Sequence, residues 1–330
     1  MSGRVLVTGG LGFIGSAFVR ALAADGTEVL NIDLDTYAGD ERRLAEVAPG
    51  LVETVRMDVA SPELRDLVGR ERPALIVHFA AETHVTRSEG AAEAFFHANV
   101  EGTRSVLEAA AAAGVPRVVH MSTDEVYGPC PGEPFGEHQK LHGEGLATSA
   151  YARSKALADA LAHSYADRLD VVIARPTNCI GPWQHPEKAV PRWATRALRG
   201  ERLPVWGDGQ QVRDWMFVSD AVSGLRALAE WGERGVAYNV GPAGGAVPNV
   251  EIARMVARAA GSGEDAVYLS EYDRPQHDRR YAVSTDRITA LGWSATHSLE
   301  QAVAETVAWY RDHADWWRTL VPEAEGLYAD

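Results

Sequence analysis

The sequence is short of the features that mark several broad classes of protein. It has two cysteines in 330 residues, Cys130 and Cys179. That excludes a disulfide framework and fits a reducing, cytoplasmic setting. No run of 18 apolar residues occurs, so no membrane span is expected. The opening "MSGRVLVTGG" enters a strand pattern at once and leaves no room for a secretory signal. Positive charge is scarce: 32 Lys and Arg stand against 46 Asp and Glu, a net charge of −14. This balance argues against nucleic acid or an anionic membrane surface as the main partner. An anionic ligand would need a local basic pocket. Lysine is scarcest of all: Lys140, Lys155 and Lys188 are the whole set, and every other cation is arginine. Such a chain keeps lysine where chemistry asks for an ammonium. There are no internal repeats, and only "AAAAAG" at 109–114 is of low complexity. That stretch reads as helix surface or dimer face.

What is present alternates. "RVLVTGG" reads as a strand, "FIGSAFVRALAADG" as a helix ending at Gly26, "EVLNID" and "VETVRMDV" as the next two strands. "ALIVHFAA" is a continuous apolar run of the buried parallel type. "HANVEGTRSVLEAAAAAG" is a helix stopped at Gly114, "RVVHMST" a fifth strand, "AYARSKALADALAHSYADRLD" a helix and "VVIARPTN" a sixth strand. Strand–helix alternation predicts an α/β fold, a doubly wound parallel sheet of the Rossmann kind. After about residue 177 Pro and Trp become frequent. "VRDWMFVSDAVSGLRALAEW" and "VAYNVGP" read as a return to the sheet, while "NVEIARMVARAAG" and "SLEQAVAETVAWYRDHADWW" read as amphipathic helices. The expected division is a nucleotide-binding unit over residues 1–177 plus about 213–243. A smaller, interleaved substrate lobe takes 178–212 and 244–330.

"TGGLGFIG", Thr8 to Gly15, falls between the first strand and the first helix, with Gly9, Gly12 and Gly15 in G-x-x-G-x-x-G spacing. Glycines here permit a tight turn and close approach of backbone to a pyrophosphate, and the helix N-terminus favours its charge. Asp33 ends the second strand. A carboxylate there accepts hydrogen bonds from ribose hydroxyls and repels a 2′-phosphate, so NAD is expected rather than NADP. Asp58, ending the third strand, is placed to meet the adenine edge.

Tyr151 and Lys155 are four apart on a helix and share one face. A lysine ammonium beside the phenol favours phenolate, which makes a base for an alcohol proton. Thr123 can bond the same oxygen. These features resemble the extended short-chain dehydrogenase/reductase family. Alcohol oxidation needs only Thr123, Tyr151 and Lys155, which leaves the adjacent acids Asp124 and Glu125 of "STDEVYG" without a task. On a regular strand they point to opposite faces. Both reach one pocket only if the strand ends there and the chain turns. Oxidation of a sugar at C4 acidifies the C5 proton. One carboxylate could then remove that proton while the other, held protonated, serves the departing C6 hydroxyl. Two neighbouring acids raise each other's pKa and so divide into a base and an acid.

Over almost its whole length the chain resembles the dTDP-glucose 4,6-dehydratase family, through "GGLGFIG", "DTYAG", "FAAETHVTRS", "STDEVYG", "YARSK", "RPTNCIGPWQHPEKAVP", "GDGQQVRDW", "HDRRYAV" and "TVAWYRDHADWW". The resemblance implies that Asp124 is the acid and Glu125 the base. It implies NAD that is tightly held and regenerated in each turnover, contacted also by Phe13, Ile14, Thr36, Val59, Phe79, Ala80, Ala81 and Asn99. It implies a nucleotide-sugar substrate met by Asn178, Glu187, Lys188, Pro204, Arg213, Asn249 and the segment His277 to Tyr281. Lys188, Arg213 and Arg279 supply cations for a diphosphate; Thr83 should meet the hexose and Trp206 the base. The resemblance further implies a homodimer paired through the helices after Ala98 and from Tyr151. No metal site is expected. Departures from the family pattern are Trp206 for tyrosine, Thr86 for aspartate, Ala150 for proline and Ala98 for threonine, and an unusual stretch holds His138 and His142. Rival readings are a same-fold NDP-sugar 4-epimerase or UDP-glucuronate decarboxylase, which has no use for a C6-hydroxyl acid, and a non-catalytic NAD- or sugar-nucleotide-binding regulator.

Overall fold

The computed structural model describes residues 3–84, 91–141, 149–242, 246–272 and 278–328. Its centre is a seven-stranded sheet in the order β11-β6-β5-β4-β1-β2-β3. The strands are β1 (Val5–Thr8), β2 (Val29–Asp33), β3 (Val52–Arg56), β4 (Leu75–His78), β5 (Val118–Met121), β6 (Val171–Pro176) and β11 (Ala237–Val240). Every neighbouring pair is parallel. The inner strands are buried at every position, as sheets covered on both faces require. The strand order reverses between β1 and β4. In such sheets the crevice at the carboxyl ends of those strands receives the ligand.

The α-helices of the described residues are α1 (Phe13–Ala24), α2 (Glu63–Glu71), α3 (Ala92–Phe96), α4 (Gly102–Ala113), α5 (Ala150–Ser164), α6 (Ala189–Leu198), α7 (Val218–Trp231), α8 (Asn249–Ala260), α9 (Asp286–Ala290), α10 (Leu299–Asp312), α11 (Ala314–Trp317) and α12 (Val321–Gly326). Phe18, Leu22, Leu225 and Leu228 of α1 and α7 fill one face, and Leu67, Val106, Leu107 and Ala162 of α2, α4 and α5 fill the other. Both Gly26 and Gly114 stop their helices in the left-handed region, at φ 74° and 65°.

Local readings needed correction in three places. The helix read from His97 begins at Ala92, and His97–Glu101 is a π-turn joining α3 to α4. One inserted residue widens the ladder there, a feature common near functional sites. The sixth strand breaks at Thr177, and the next three residues form β7 (Asn178–Ile180), which pairs with β10 (Trp215–Phe217). "VRDWMF" therefore does not rejoin the central sheet; only "AYNV" does, as β11 beside β6.

A third core gathers Trp193, Leu203, Val205, Val256, Val307, Tyr310, Trp316 and Trp317. It joins α6, α8 and α10 to β8 (Leu203–Trp206), which pairs with β13 (Val267–Ser270). Short β9 (Val212–Arg213) and β12 (Val247–Pro248) pair antiparallel at its margin.

Candidate active site

A cleft of about 340 Å³ opens at the reversal point between β1 and β4. Its first wall is the glycine loop. Gly9 follows β1 with φ 76°, and a Cβ there would lie 2.7 Å from Ala80 N. A Cβ on Gly15 would lie 2.2 Å from the Gly9 carbonyl oxygen. These approaches leave room for nothing larger, and they keep the floor low beneath a ligand. Gly12 precedes α1 in extended conformation with no side chain over the helix N-terminus. Asn31 and Asp33 hold the loop from β2: Gly10 N donates to Asn31 Oδ1 at 2.8 Å and Leu11 N to Asp33 Oδ2 at 2.9 Å. Asp33 Oδ1 also accepts from Asp35 N. Burial raises the Asp33 pKa, against these amide bonds. Each carboxylate oxygen keeps a lone pair for a ribose hydroxyl. Phe13, Ile14, Thr36, Val59, Phe79, Ala80 and Ala81 line the cleft. The close-packed loop, the bare helix N-terminus and the strand-end carboxylate together fit a dinucleotide.

Asp58 and Asn99 of this group differ in placement. Asp58 lines the cleft but is engaged: Oδ1 accepts from Ala60 N, and Oδ2 faces His97 Nε2 at 2.9 Å. Burial pushes its pKa up, but the His97 bond and the amide outweigh it and leave it below the ordinary range. Asn99 lies behind the wall rather than in it. Its amide bonds both backbone groups of Glu82 and the Ser154 hydroxyl, at 2.8 to 3.0 Å. The π-turn turns Asn99 inward, so it braces the loop after β4.

The two acids stand where β5 ends. Thr123 caps a 3₁₀ turn over Asp124–Tyr127, its Oγ1 accepting from Glu125 N at 3.3 Å. The turn replaces strand alternation and brings both carboxylates to the cleft lining. Asp124 is 3 % exposed, and its Oδ2 is buried with no hydrogen-bond partner among the described residues. Its pKa is raised to about 8, by burial first and then by Glu125 and Asp214, against the pull of Arg213. Asp124 is thus a neutral acid at pH 7, with a proton to give. Only tertiary burial shows this degree of protonation.

Tyr151 and Lys155 share the cleft, α5 being capped by Ser149. The lysine ammonium is held by a backbone carbonyl. Lys155 Nζ donates to the Met121 carbonyl oxygen at 2.6 Å. Burial lowers its pKa to about 8, opposed by Asp159. Burial and the Glu125 charge raise the Tyr151 pKa, and the Thr123 hydrogen bond opposes them.

The substrate-side residues divide. Thr83, Asn178, Glu187 and Lys188 line the same cleft. Lys188 Nζ bonds the Thr83 carbonyl oxygen at 3.3 Å, and Asn178 Oδ1 is buried with no partner among the described residues. Pro204, Trp206, Arg213, Asn249, Arg279 and Tyr281 lie outside that lining. The Arg213 guanidinium bonds the carbonyls of Val212 and Asp278 and covers the Tyr281 ring at 4.2 Å. The Tyr281 hydroxyl bonds Asp278. Arg279 pairs with Asp208 in an exposed contact at 2.8 Å rather than facing the cleft. Asn249 Oδ1 is buried with no partner among the described residues. Trp206 meets Tyr272 and Tyr328 edge-on, with ring centres 5.2 Å away in both cases. His277, Thr86 and His142 lie outside the described residues. Sequence reasoning passed over Arg43, which is 2 % exposed and donates to the carbonyls of Leu11, Ala38 and Trp183 while lining the cleft. It also passed over Glu82 and Cys179. No local pattern marks them.

The family model described as "NAD dependent epimerase/dehydratase family" matches residues 5–241. The chain belongs to that family. Within it, the chain is 41% identical over 327 residues to a dTDP-glucose 4,6-dehydratase of Streptomyces niveus, covering 96% of this chain and 95% of the relative. A dTDP-glucose 4,6-dehydratase of Streptomyces griseus is also 41% identical, over 98% of both chains. Among solved structures, a double mutant of DesIV, a dTDP-glucose 4,6-dehydratase from Streptomyces venezuelae, with NAD bound, superposes with a TM-score of 0.89 at 39% identity, over 96% of this chain and 99% of that one.

Proposed function

We propose that this chain is an NAD-dependent hydro-lyase. It converts dTDP-glucose to dTDP-4-keto-6-deoxy-glucose in deoxysugar biosynthesis. The observation that carries this reading is Asp124, a buried carboxyl with one oxygen unpartnered among the described residues and a pKa raised to about 8, beside Glu125 and facing the cleft of Tyr151. When bound, NAD supplies the acceptor and later the donor of a hydride. The chain's residues supply the rest. The glycine loop and Asp33 hold the dinucleotide. With NAD bound, its nicotinamide charge and Lys155 would offset the burial that raises the Tyr151 pKa; as phenolate, with Thr123 on the same oxygen, Tyr151 would take the proton of the C4 hydroxyl, and the C4 ketone that results acidifies C5–H. Glu125 takes the C5 proton; the C5–C6 double bond forms as the C6–O bond breaks, and Asp124 gives that oxygen its proton so that water leaves. Glu125 returns its proton to C5 as C6 is reduced, C4 stays a ketone, and exchange with solvent removes the proton gained by Tyr151 and restores that lost by Asp124. The cofactor ends as it began.

A 4-epimerase or a decarboxylase of the same fold has no step for a neutral buried acid at this place. A binding regulator has no need of Tyr151 and Thr123 on one oxygen. We read residues 1–177 with about 213–243 as the dinucleotide unit and the remainder as the sugar-nucleotide lobe. We also read the protein as a cytoplasmic homodimer. Supporting this are two free cysteines, the lack among the described residues of a helix long and apolar enough to cross a membrane, and an exposed Leu157 on α5.

The test is incubation of purified protein with dTDP-glucose and no added NAD, followed by mass spectrometry. The expected product has lost one water with no net reduction of cofactor. An isomer of unchanged mass means epimerase and removes the role given to Asp124.

A further inference from the structure

Three separate stretches of chain carry residues expected to meet the sugar nucleotide: Thr83, Glu187 and Lys188 line the cleft, and Trp206 stands beyond its lining. Thr83 and His84 follow β4, Glu187 and Lys188 precede α6, and Trp206 ends β8. One side chain touches all three. The Tyr328 hydroxyl donates to the Glu187 carbonyl oxygen at 2.5 Å and lies 3.1 Å from His84 Nε2. Its ring stands against Trp206 at 5.2 Å and 63°. The Arg192 guanidinium covers the ring at 4.1 Å.

These contacts do not belong to a loosely draped segment. Helix α12, which leads to Tyr328, buries Val321 and Ala324, with Val321 in the third core. Its Glu325 accepts from Arg192 at 2.9 Å and pairs with Arg196 at 3.1 Å and Arg199 at 3.4 Å, all on or just after α6. The helix that carries Glu187 and Lys188 at its start is thereby clamped to the segment that carries Tyr328. Glu187 lies 141 residues from Tyr328 in sequence and His84 lies 244.

We propose that Tyr328 is a positioning residue for the nucleotide half of the substrate. It holds the Trp206 ring, the Glu187–Lys188 segment and the Thr83–His84 wall at the spacing a nucleoside diphosphate requires. The inference rests on the function proposed above. A binding site assembled from three stretches loses affinity if each must be ordered as the ligand arrives, and one cross-brace made in the free protein removes that cost. Tyr328 reaches no reacting atom: it lies outside the lining of the cleft that holds Asp124, Glu125 and Tyr151. Its loss is therefore expected in binding rather than in the chemical step.

The experiment uses the full chain with Tyr328→Phe and Tyr328→Ala. It measures KM and kcat with dTDP-glucose and, separately, the Kd of dTDP, which lacks the hexose. Tyr328→Phe removes two hydrogen bonds and keeps the ring, and KM and the dTDP Kd should both rise about threefold to tenfold. Tyr328→Ala also removes the ring from Trp206 and Arg192 and should raise both further, with kcat falling much less than KM rises. NAD affinity should stay at the wild-type value in both. A fall in kcat with KM unchanged, or an unchanged dTDP Kd in Tyr328→Ala, overturns the inference. A variant that only loses thermal stability, with KM kept, does the same. Failure of wild-type protein to dehydrate dTDP-glucose would count against the proposed reaction. The dTDP Kd of the two variants would still decide the role of Tyr328.

Discussion

Asp124 is the residue on which pH should act most visibly. Its ordinary value of 3.8 is raised to about 8, so the folded protein holds this proton more tightly than the unfolded chain does. The stability it contributes is fully present below about pH 4 and is lost as pH rises through about 8. Lys155 runs the other way: its pKa is lowered to about 8 from 10.5, so its burial costs least above 10.5. Asp124→Asn keeps the shape and removes one titration, and a comparison with wild type cancels Lys155. The variant should gain stability relative to wild type as pH climbs from 4 to 8, read by thermal melts across that range. Its turnover should fall about a hundredfold or more, the usual scale for a lost general acid. In wild-type enzyme kcat should decline above pH 8 as Asp124 ionises. A variant that turns over at the wild-type rate removes Asp124 from the reaction.

At the scale of elements, the site depends on how α5 is fixed to β6. Asp159 lies one turn beyond Lys155 and pairs with Arg175 at 2.7 and 2.8 Å, both residues being buried. Arg175 continues to the Tyr127 hydroxyl, which donates to Asn239 Oδ1 on β11. One network thus joins the catalytic helix, the turn that carries Asp124 and two strands. Asp159→Asn leaves a buried guanidinium without its counter-charge and should destabilise by about 3–5 kcal/mol in urea unfolding. A cost near that of an exposed pair, under about 1 kcal/mol, would show that water reaches Arg175. The periodicity of α5 was legible in the sequence, since apolar and small residues recur on its inner face. Its buried ion pair was not, because charged side chains ordinarily mark the solvent face. The π-turn was illegible for a related reason. One residue inserted in a helix leaves the apolar pattern almost unchanged, yet it rotates Asn99 from the cleft to the loop behind it.

At the scale of the whole molecule, two helix-covered faces and a third core lock one cleft between them, and one surface feature bears on assembly. Leu157 is 42 % exposed on α5, which packs beside α4. If these helices meet their counterparts across a two-fold axis, Leu157 is covered in the dimer. Leu157→Glu should then shift the protein from dimer to monomer in sedimentation velocity with little change in its fold by circular dichroism. A dimer that persists places the two-fold elsewhere.

The sequence by itself determined what depends on short separations. Gly9, Gly12 and Gly15 mark the loop because a tight turn needs them within eight residues. Tyr151 and Lys155 share a helix face because they are four apart. The alternation of elements implied the parallel sheet, and the sheet implied the crevice. The tertiary structure alone decided what depends on burial and on distant partners. It set the direction of the Lys155 ammonium toward Met121, the proton held on Asp124, the withdrawal of Arg279 to Asp208, the burial of Arg43 and the bridge made by Tyr328. The physical reason is common to all of these. A pKa or a hydrogen bond depends on the solvent removed and the charges brought near, and here those come from strands and helices far apart along the chain.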